Sequence, residues 1–117
     1  MAEVLVLVDH VDSFPVARVG AAIQRHERFP AGANVEFVQI VTRSRVRQRT
    51  VERGVGETDA CGTGACATAV ALAALGLADH PLEVELRGGT LTIAWEPGSP
   101  VLMTGPAVTV FHGELDG

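Results

Sequence analysis

The sequence predicts a small α/β (α+β) domain in which a mainly antiparallel sheet wraps around one buried helix. Residues 60–78 are rich in Ala, Gly and Thr and contain no charged residue, so a helix formed there has no polar face for solvent. Short apolar runs of strand length lie on both sides of this stretch in the sequence. Burying a helix in a chain of 117 residues requires strands on several of its sides, and one domain of ordinary size holds them all.

A strand and a helix open the chain. The aliphatic run at residues 4–8 predicts a buried strand. The helix is predicted to begin with Ser13 as its N-cap and Pro15 close to its first turn, and to end near Arg25. Helical periodicity turns four apolar residues inward, namely Val16, Val19, Ala22 and Ile23.

Three pairs of strands are predicted for the rest of the chain. A polar turn separates the strands of the first pair, and a Gly-Gly segment indicates a hairpin in the second. In the third pair Gly105-Pro106 predicts a kink between the strands, with a loop on the substrate side as the alternative. The pairs are 35–42 with 46–51, 82–86 with 90–95, and 101–103 with 107–111. Between the first two pairs lie a polar, Gly-rich loop and the central helix, which Gly76 and Pro81 bring to an end.

Four arginines alternate around the first hairpin. Arg43, Arg45, Arg47 and Arg49 fall at a period of two, so an unbroken strand would place them on one face. Such a stripe can bind phosphates, but the remainder of the chain is acidic and no aromatic residue interleaves with the arginines. We therefore favour four solvated side chains on an outer face of the sheet over a nucleic-acid platform.

The composition excludes several classes of function. A net charge of −5 and a pI near 5.2 argue against nucleic acid or an anionic membrane as the main partner. All nine basic residues are arginine, and a chain without lysine cannot form the aldimine of pyridoxal phosphate enzymes. Two cysteines five residues apart and four scattered histidines give neither a disulfide framework nor metal-site spacing. We expect a cytoplasmic protein without cofactor, metal or secretory signal.

Cys61 is the residue for which the sequence most favours a chemical role. The Gly-rich loop leads into the predicted central helix and puts Cys61 at the first turn. A helix N-terminus presents unpaired N–H groups and a partial positive charge, both of which stabilise a thiolate. The competing interpretation is an inert thiol in an apolar core. Cys66 lies about 140° around the helix from Cys61 and is predicted to belong to the core.

Several motifs resemble the C-terminal half of diaminopimelate epimerase. They are Glu-Arg-Gly-Val-Gly-Glu-Thr at 52–58, Ala-Cys-Gly-Thr-Gly-Ala-Cys-Ala at 60–67, Asn-Val-Glu-Phe at 34–37, Gly-Gly at 88–89 and Met-Thr-Gly-Pro at 103–106. They follow one another in the same order as in that family and cover nearly the whole chain. The resemblance implies one domain over residues 1–117, with a sheet wrapped barrel-like around a central helix, and implies that the N-terminal half is absent.

The resemblance also implies roles for residues of this chain. In that family two thiols act as acid and base on an amino-acid carbon without a cofactor, and Cys61 matches one of them. Glu52 matches a residue that tunes the thiols and contacts the substrate. Arg53 and Asn34 match binders of the distal amino-acid end. The structural alternatives are an ordinary ion pair between Glu52 and Arg53 and a turn capped by Asn34.

Epimerisation explains why these residue types are needed. A weakly acidic proton leaves one face of the amino-acid carbon and another returns to the opposite face, so two bases must stand on opposite sides. The backbone N–H groups of Gly62 and Thr63, with the Thr63 hydroxyl, can hold the substrate carboxylate and stabilise the charge that develops beside it. The substrate implied by the resemblance is an amino acid similar to diaminopimelate, a precursor of lysine and peptidoglycan.

The resemblance also points to parts of the family's site that this sequence lacks. The second thiol belongs to the N-terminal half, and Met1, Ala2 and Glu3 stand where the family's Gly-Asn-Pro-His motif aligns. Three hypotheses stay open. The chain is a half-size epimerase whose site forms between two copies, a catalytically silent truncated or half-size domain that self-associates, or a thiol redox protein that uses Cys61 as a sensor.

We expect a homodimer packed through the surface that carries Cys61, Asn34 and the segment 52–53. In the two-domain family the corresponding surface meets a domain of similar shape, so a lone half leaves it uncovered. Pairing two identical patches about a twofold axis is the commonest way to cover an exposed apolar surface.

Overall fold

A computed structural model describes residues 2–59, 62–104 and 110–113 of the chain. Eight strands and two helices occupy these residues. In chain order they are β1 (Ala2–Leu7), α1 (Val16–Gln24), β2 (Ala33–Thr42), β3 (Arg45–Glu52), β4 (Gly56–Thr58), α2 (Gly62–Ala74), β5 (Leu82–Leu86), β6 (Gly89–Ala94), β7 (Val101–Thr104) and β8 (Val110–Gly113).

All these strands belong to one mixed sheet. The strand order is β1-β2-β3-β5-β6-β7-β8, and the short β4 pairs with β3 off this path. The pairs β1–β2 and β3–β5 are parallel. The pairs β2–β3, β3–β4, β5–β6, β6–β7 and β7–β8 are antiparallel. The predicted mixed α+β fold with a mainly antiparallel sheet is therefore confirmed.

The two helices cover different faces of β2, because successive residues of a strand point to opposite sides. Helix α1 packs on β2, β3 and β4, whereas α2 packs on β1, β2, β5, β6 and β7. On the α1 side lies a cluster formed by Val11, Val16, Val35, Phe37 and Val51. On the other side, here called the α2 face, Val38 and Val46 join a cluster with Ala65, Cys66, Ala69 and Leu72 of α2. With both faces covered, β2 has four consecutive buried residues, at 35–38.

Helix α2 is less enclosed than the sequence predicts. Its buried residues are Gly64, Ala65, Cys66, Thr68, Ala69 and Leu72. Thr63 and Ala74 are exposed, and the remaining positions are half-buried. The prediction of a helix buried on every side is thus wrong, since the small side chains of the open flank leave little apolar area that needs covering. The helix ends as predicted at Gly76, which adopts a φ of +71° that favours glycine.

The predicted start of α1 is wrong. Ser13 does not cap the helix, which begins three residues later with Pro15 at the N-cap position and no side-chain cap. The Ser13 hydroxyl instead donates to the His10 carbonyl at 3.4 Å. The local capping pattern therefore forms a turn before the helix, and α1 begins where Val16 enters the α1-side cluster.

The inward face of α1 also differs at one position. Val16, Val19 and Ile23 pack into the α1-side cluster as predicted, but Ala22 is exposed. Gly20 takes the inward position instead and is buried. A Cβ at Gly20 would lie only 2.9 Å from Cγ2 of Val51, so the absence of a side chain lets α1 approach β3 closely.

Three strand predictions change in detail. Strand β1 is not buried, because it lies at the edge of the sheet and pairs only with β2. Strand β4 falls in a segment predicted to be a loop and pairs with the end of β3. Strand β8 pairs antiparallel with β7, where the sequence predicted two strands separated by a kink, and residues 107–109 of the second predicted strand lie outside the described residues.

The arginines of the first hairpin are paired rather than freely solvated. Arg45, Arg47 and Arg49 share one face of β3 as predicted, whereas Arg43 lies in the turn. Each of the four contacts acidic side chains: Arg43 with Asp79, Arg45 with Glu83 and Glu85, Arg47 with Glu85 and Asp12, and Arg49 with Glu57. The parallel pairing of β3 with β5, which sets Arg45 beside Glu83 and Arg47 beside Glu85, brings several of these partners together.

Candidate active site

Two of the predicted site residues share one end of the α2 face. Asn34 and Glu52 directly flank the paired residues Val35 and Val51 at one end of the β2–β3 ladder. Asn34 lies four residues before Val38, and the two-residue period of a strand puts both side chains on the α2 face. The same period places Glu52 on the face that Val46 occupies. The sheet register therefore brings these two side chains into one neighbourhood.

The Asn34 side chain is held at both ends. Its Oδ1 accepts a hydrogen bond from the backbone N–H of Arg53 at 2.9 Å, and its Nδ2 donates to Oε1 of Glu3 at 3.2 Å. Asn34 is a residue of β2 rather than of a turn, so the alternative of a turn cap does not describe it. The amide thus joins β1 to the end of β3.

Glu52 and Arg53 point to different partners. Oε1 of Glu52 accepts a hydrogen bond from the Thr58 hydroxyl at 3.2 Å, which connects β3 to β4. Within the described part of the chain no ion pair joins Glu52 to Arg53. The stem of Arg53 lies over Gly32, whose Cβ would be 2.6 Å from Cδ of Arg53. Gly32 also has a φ of +84°, so this close approach requires glycine on two counts.

The first turn of α2 carries the other predicted binding residues. The helix begins at Gly62, and Thr63 is exposed. Only residues 59–61 separate Gly62 from Thr58, so the helix begins within about 14 Å of the residue that contacts Glu52. Cys61 lies outside the described residues, and its position at the helix N-terminus stays a prediction.

Gly62 and Cys66 both contact Met103 of β7. A Cβ at Gly62 would lie 2.9 Å from Cε of Met103, so this side chain sits directly against the first turn of α2. Cys66 is 4% exposed, and its thiol lies 3.9 Å from the sulfur of Met103. The prediction that Cys66 belongs to the core is confirmed.

Sequence reasoning did not single out Glu36, which lies between Asn34 and Val38 on the α2 face. The residue is 1% exposed. Its pKa is raised to about 9, chiefly by burial and further by a hydrogen bond with Glu3 and by the negative charge of that group. Glu36 is therefore protonated at neutral pH. The available signal was a single acidic residue inside the apolar run of β2.

The α2 face holds further buried polar groups near Glu36. Gln48, Thr50 and Thr68 are buried, and Nε2 of Gln48 donates to the Thr50 hydroxyl at 3.1 Å. Among the described residues, three buried side-chain oxygens have no hydrogen-bond partner: Oε1 of Glu36, Oε1 of Gln48 and Oγ1 of Thr68. This part of the domain interior is thus more polar than an ordinary core.

The described residues form neither a metal-binding cluster nor a helix that could span a membrane. In the ranges 2–59, 62–104 and 110–113, no three His, Cys, Asp or Glu side chains come close enough together to hold a metal ion. Neither α1 nor α2 has the length and apolar character needed to cross a membrane.

The fold is similar to that of a solved protein. The crystal structure of a phenazine biosynthesis protein of the PhzF family from Bacillus anthracis aligns with a TM-score of 0.58. The alignment covers 85% of this chain and 33% of that one, at 21% sequence identity. At this identity the likeness concerns the fold alone.

The sequence comparisons identify the family. The family described as diaminopimelate epimerase matches residues 2–110. Curated diaminopimelate epimerases from Aromatoleum aromaticum, Azoarcus sp. and Acidovorax ebreus are 61%, 59% and 57% identical over 94% of this chain. The chain spans only 40%, 40% and 38% of their respective lengths. The family match and these identities show that the chain belongs to the diaminopimelate epimerase family.

Proposed function

We propose that this chain supplies the C-terminal half of the active site of a cofactor-independent diaminopimelate epimerase. The observation that carries the proposal is the cluster of Asn34, Glu52 and the Arg53 backbone at one end of the α2 face, where Glu52 contacts Thr58, four residues before the start of α2. The identity of 61% to a curated diaminopimelate epimerase supports the same substrate class. The reaction inverts one amino-acid carbon by moving a proton from one face to the other.

Each residue has a role in this proposal. Cys61 is one of the two acid/base thiols, and the N–H groups of Gly62 and Thr63 hold the carboxylate next to the reacting carbon. Glu52, fixed by Thr58, contacts the substrate beside that carbon and tunes the thiol. Asn34 and Arg53 bind the distal end of the amino acid.

The second thiol must come from another polypeptide segment. Cys66 cannot serve, because it is buried against Met103. We propose that a second domain of similar shape covers the surface carrying Asn34, Arg53 and Cys61, and that the chain by itself covers this surface by homodimerisation. Val55, which is 71% exposed in the turn after Arg53, supports such a contact because it offers apolar area beside the site.

The proposal includes the shape of the sheet and the setting of the enzyme. Strand β1, at one edge of the sheet, and β7, next to the last strand at the other edge, both contact α2. This supports a sheet that curls barrel-like around the helix within one domain. A reduced cytoplasmic setting suits an enzyme that depends on free thiols.

Alkylation of the two thiols tests the proposed site. Iodoacetamide should label Cys61 at least about tenfold faster than Cys66 in the folded chain, because only the former is proposed to lie at an open helix N-terminus. Diaminopimelate should slow the labelling of Cys61, and lysine, which lacks the second carboxylate, should protect it less. Equal labelling rates, or labelling that diaminopimelate leaves unchanged at millimolar concentration, would contradict the proposal.

A further inference from the structure

We infer that Glu36 is a positioning residue for Asn34: it stays protonated inside the domain and donates a hydrogen bond to Glu3, whose carboxylate holds the Asn34 amide. The inference rests on the proposed function in one respect, because it gives Asn34 the role of a substrate binder. The positioning itself is a property of the described residues.

The surroundings of Glu36 favour the neutral acid. The residue is 1% exposed, and its cross-strand neighbours are Leu5 on β1 and Thr50 on β3. Leu5 packs against the apolar cluster of the α2 face, and the Thr50 hydroxyl already accepts a hydrogen bond from Gln48. As an anion, Glu36 would leave Oε1 buried without a donor. The backbone N–H of Glu36 itself favours the anion, but the cost of burying the charge outweighs this hydrogen bond, so the proton is retained.

The charged groups that face Glu36 also favour its neutral form. Glu3 on β1 and Glu52 on β3 are both acidic, and their negative charges oppose ionisation of Glu36. Helix α2 contributes no acidic or basic side chain from Gly62 to Ala74, and its one titratable group, Cys66, contacts Met103. The arginines of β3 at 45, 47 and 49 lie on the opposite face of the sheet.

A chain of hydrogen bonds connects Glu36 to the end of β3. Glu3 pairs with Asn34 across β1 and β2, and Glu36 lies two residues further along the same face of β2, so the carboxyl groups of Glu3 and Glu36 are diagonal neighbours. In its protonated form Glu36 donates to Glu3, and Oε1 of Glu3 accepts from Nδ2 of Asn34. Oδ1 of Asn34 accepts from the N–H of Arg53. Glu3 is exposed on an edge strand, so its side chain has room to turn away.

Ionising Glu36 would break this chain. Two adjacent carboxylates repel each other, so Glu3 would swing into solvent and Asn34 would lose the acceptor that orients its amide. The amide would then be fixed at only one end. Both ends of the Asn34 amide are therefore held near neutral pH, whereas in alkaline solution only its contact with the Arg53 N–H remains.

Nuclear magnetic resonance with ¹³C-labelled glutamate and ¹⁵N-labelled asparagine tests this directly. The side-chain carboxyl carbon of Glu36 should titrate with a midpoint above pH 7, and the side-chain amide of Asn34 should shift with the same midpoint. A Glu36 carbon that titrates between pH 4 and 5, or an Asn34 amide that shows no shift over the Glu36 titration, would overturn the inference.

Two variants and a control sharpen the result. In Glu36→Gln the new amide donates to Glu3 without titrating, so the Asn34 resonance should lose the transition above pH 7 that follows Glu36 in the unmodified chain. In Glu36→Ala it should be displaced even at pH 7. Gln48→Met removes a buried polar group of the same face that has no contact with Glu3, and it should leave the Asn34 midpoint unchanged. If Glu36→Ala does not fold, the titration of the unmodified chain still decides.

Protection of Cys61 from alkylation links positioning to binding. The diaminopimelate concentration that gives half-protection should rise about tenfold in Glu36→Ala and stay within about threefold in Glu36→Gln. Failure of diaminopimelate to protect Cys61 in the unmodified chain would count against the proposed function and leave the positioning of Asn34 standing. If diaminopimelate protects Cys61 but Glu36 titrates with a midpoint below pH 5, the proposed function would stand and the positioning of Asn34 by Glu36 would be overturned.

Discussion

At the scale of single residues, buried and half-buried charges decide how the domain responds to pH. Glu36 is held neutral by burial, whereas Glu57 is held ionised, because its hydrogen bonds to Arg49 lower the pKa of its carboxyl. The two groups act in different pH windows. Glu36 affects stability above the usual pKa of a glutamate, and Glu57 affects it below that value.

The first prediction concerns the pH dependence of stability. The unfolded chain loses the proton of Glu36 near the ordinary value of 4.5, whereas the folded chain retains it up to about 9. The stabilising contribution of this group is thus complete below pH 4.5 and declines as pH rises. Between about pH 5 and 8 it should lower the free energy of unfolding by about 1.4 kcal/mol per pH unit. The free energy of unfolding of Glu36→Gln, measured in urea, should lack this dependence on pH. Parallel pH profiles for Glu36→Gln and the unmodified protein would contradict the prediction.

The second prediction concerns the contact between Arg49 and Glu57. Glu57 Oε2 lies 2.6 Å from Nε of Arg49, and the two side chains are only 15% and 21% exposed. Glu57→Gln should therefore cost about 1–3 kcal/mol at pH 7, because the half-buried Arg49 keeps its backbone carbonyl partners but loses its carboxylate, and Arg87 loses the same partner. The difference should shrink as pH falls through the lowered pKa of Glu57, where the unmodified carboxylate is also neutralised.

Asp79→Asn provides the matched control. Asp79 pairs with Arg43 at 3.0 Å, but both side chains are about three-fifths exposed. Loss of such a solvated pair should change the free energy of unfolding by less than about 0.5 kcal/mol. Equal losses in the two variants would mean that the Arg49–Glu57 contact is no stronger than an ordinary surface pair.

At the scale of elements, apolar runs in the sequence predicted most strands. Local sequence patterns failed where contacts with residues far away in the sequence determine where an element begins or forms. The run at 82–86 and β5 coincide, because the strand is defined by its own buried side chains. The N-cap pattern at Ser13 failed because burial of Val16 sets where α1 begins. Strand β4 has only three residues, all of them polar or glycine, and it forms because β3 offers a partner.

The third prediction tests the contact of α1 with β3. Gly20→Ala should gain helix propensity worth about 1 kcal/mol, yet a Cβ there would meet three atoms of Val51 at 2.9–3.1 Å. Val51 is branched at Cβ and stiff, so overpacking should outweigh the gain and cost about 1–3 kcal/mol net. Thermal unfolding should show that the double variant Gly20→Ala, Val51→Ala loses less stability than the sum of the losses in the two single variants. Additive effects would argue that α1 does not approach β3 so closely.

At the candidate site, too, the sequence predicts some features and misses others. The resemblance to the family selects Asn34, Glu52 and Arg53, and the register of β2 with β3 explains how the first two share one face. Neither the register nor the motif reveals that Asn34 is held by Glu3, since these residues are far apart in sequence. The role of Glu36 was equally out of reach, because burial of a strand on both faces depends on where α1 and α2 pack.

At the scale of the whole molecule, the central question is how the proposed half of a two-thiol site is completed. The chain spans about 40% of the length of the relatives it matches, and one thiol cannot act on both faces of a carbon.

The fourth prediction is self-association. Light scattering at micromolar concentration should give twice the mass of the 12.2 kDa chain. Val55→Glu should shift the protein toward monomer, because it places a charge in the proposed contact. The exposed Leu75→Glu, located after the opposite end of α2, should leave the mass unchanged. A monomeric unmodified chain would contradict the prediction.

The most direct test of the central claim is inversion of a single stereoisomer of diaminopimelate at its α-carbon, with and without a separately produced N-terminal half of the Aromatoleum aromaticum enzyme. We expect the isolated chain to fall at least about a thousandfold below the usual enzymatic range, since inversion needs a base on each face and the chain is proposed to supply one. Adding the complementary half should restore inversion, Cys61→Ser should abolish it, and Cys66→Ser should retain it. Inversion that persists in Cys61→Ser, or none at all although the two halves bind each other, would contradict the account.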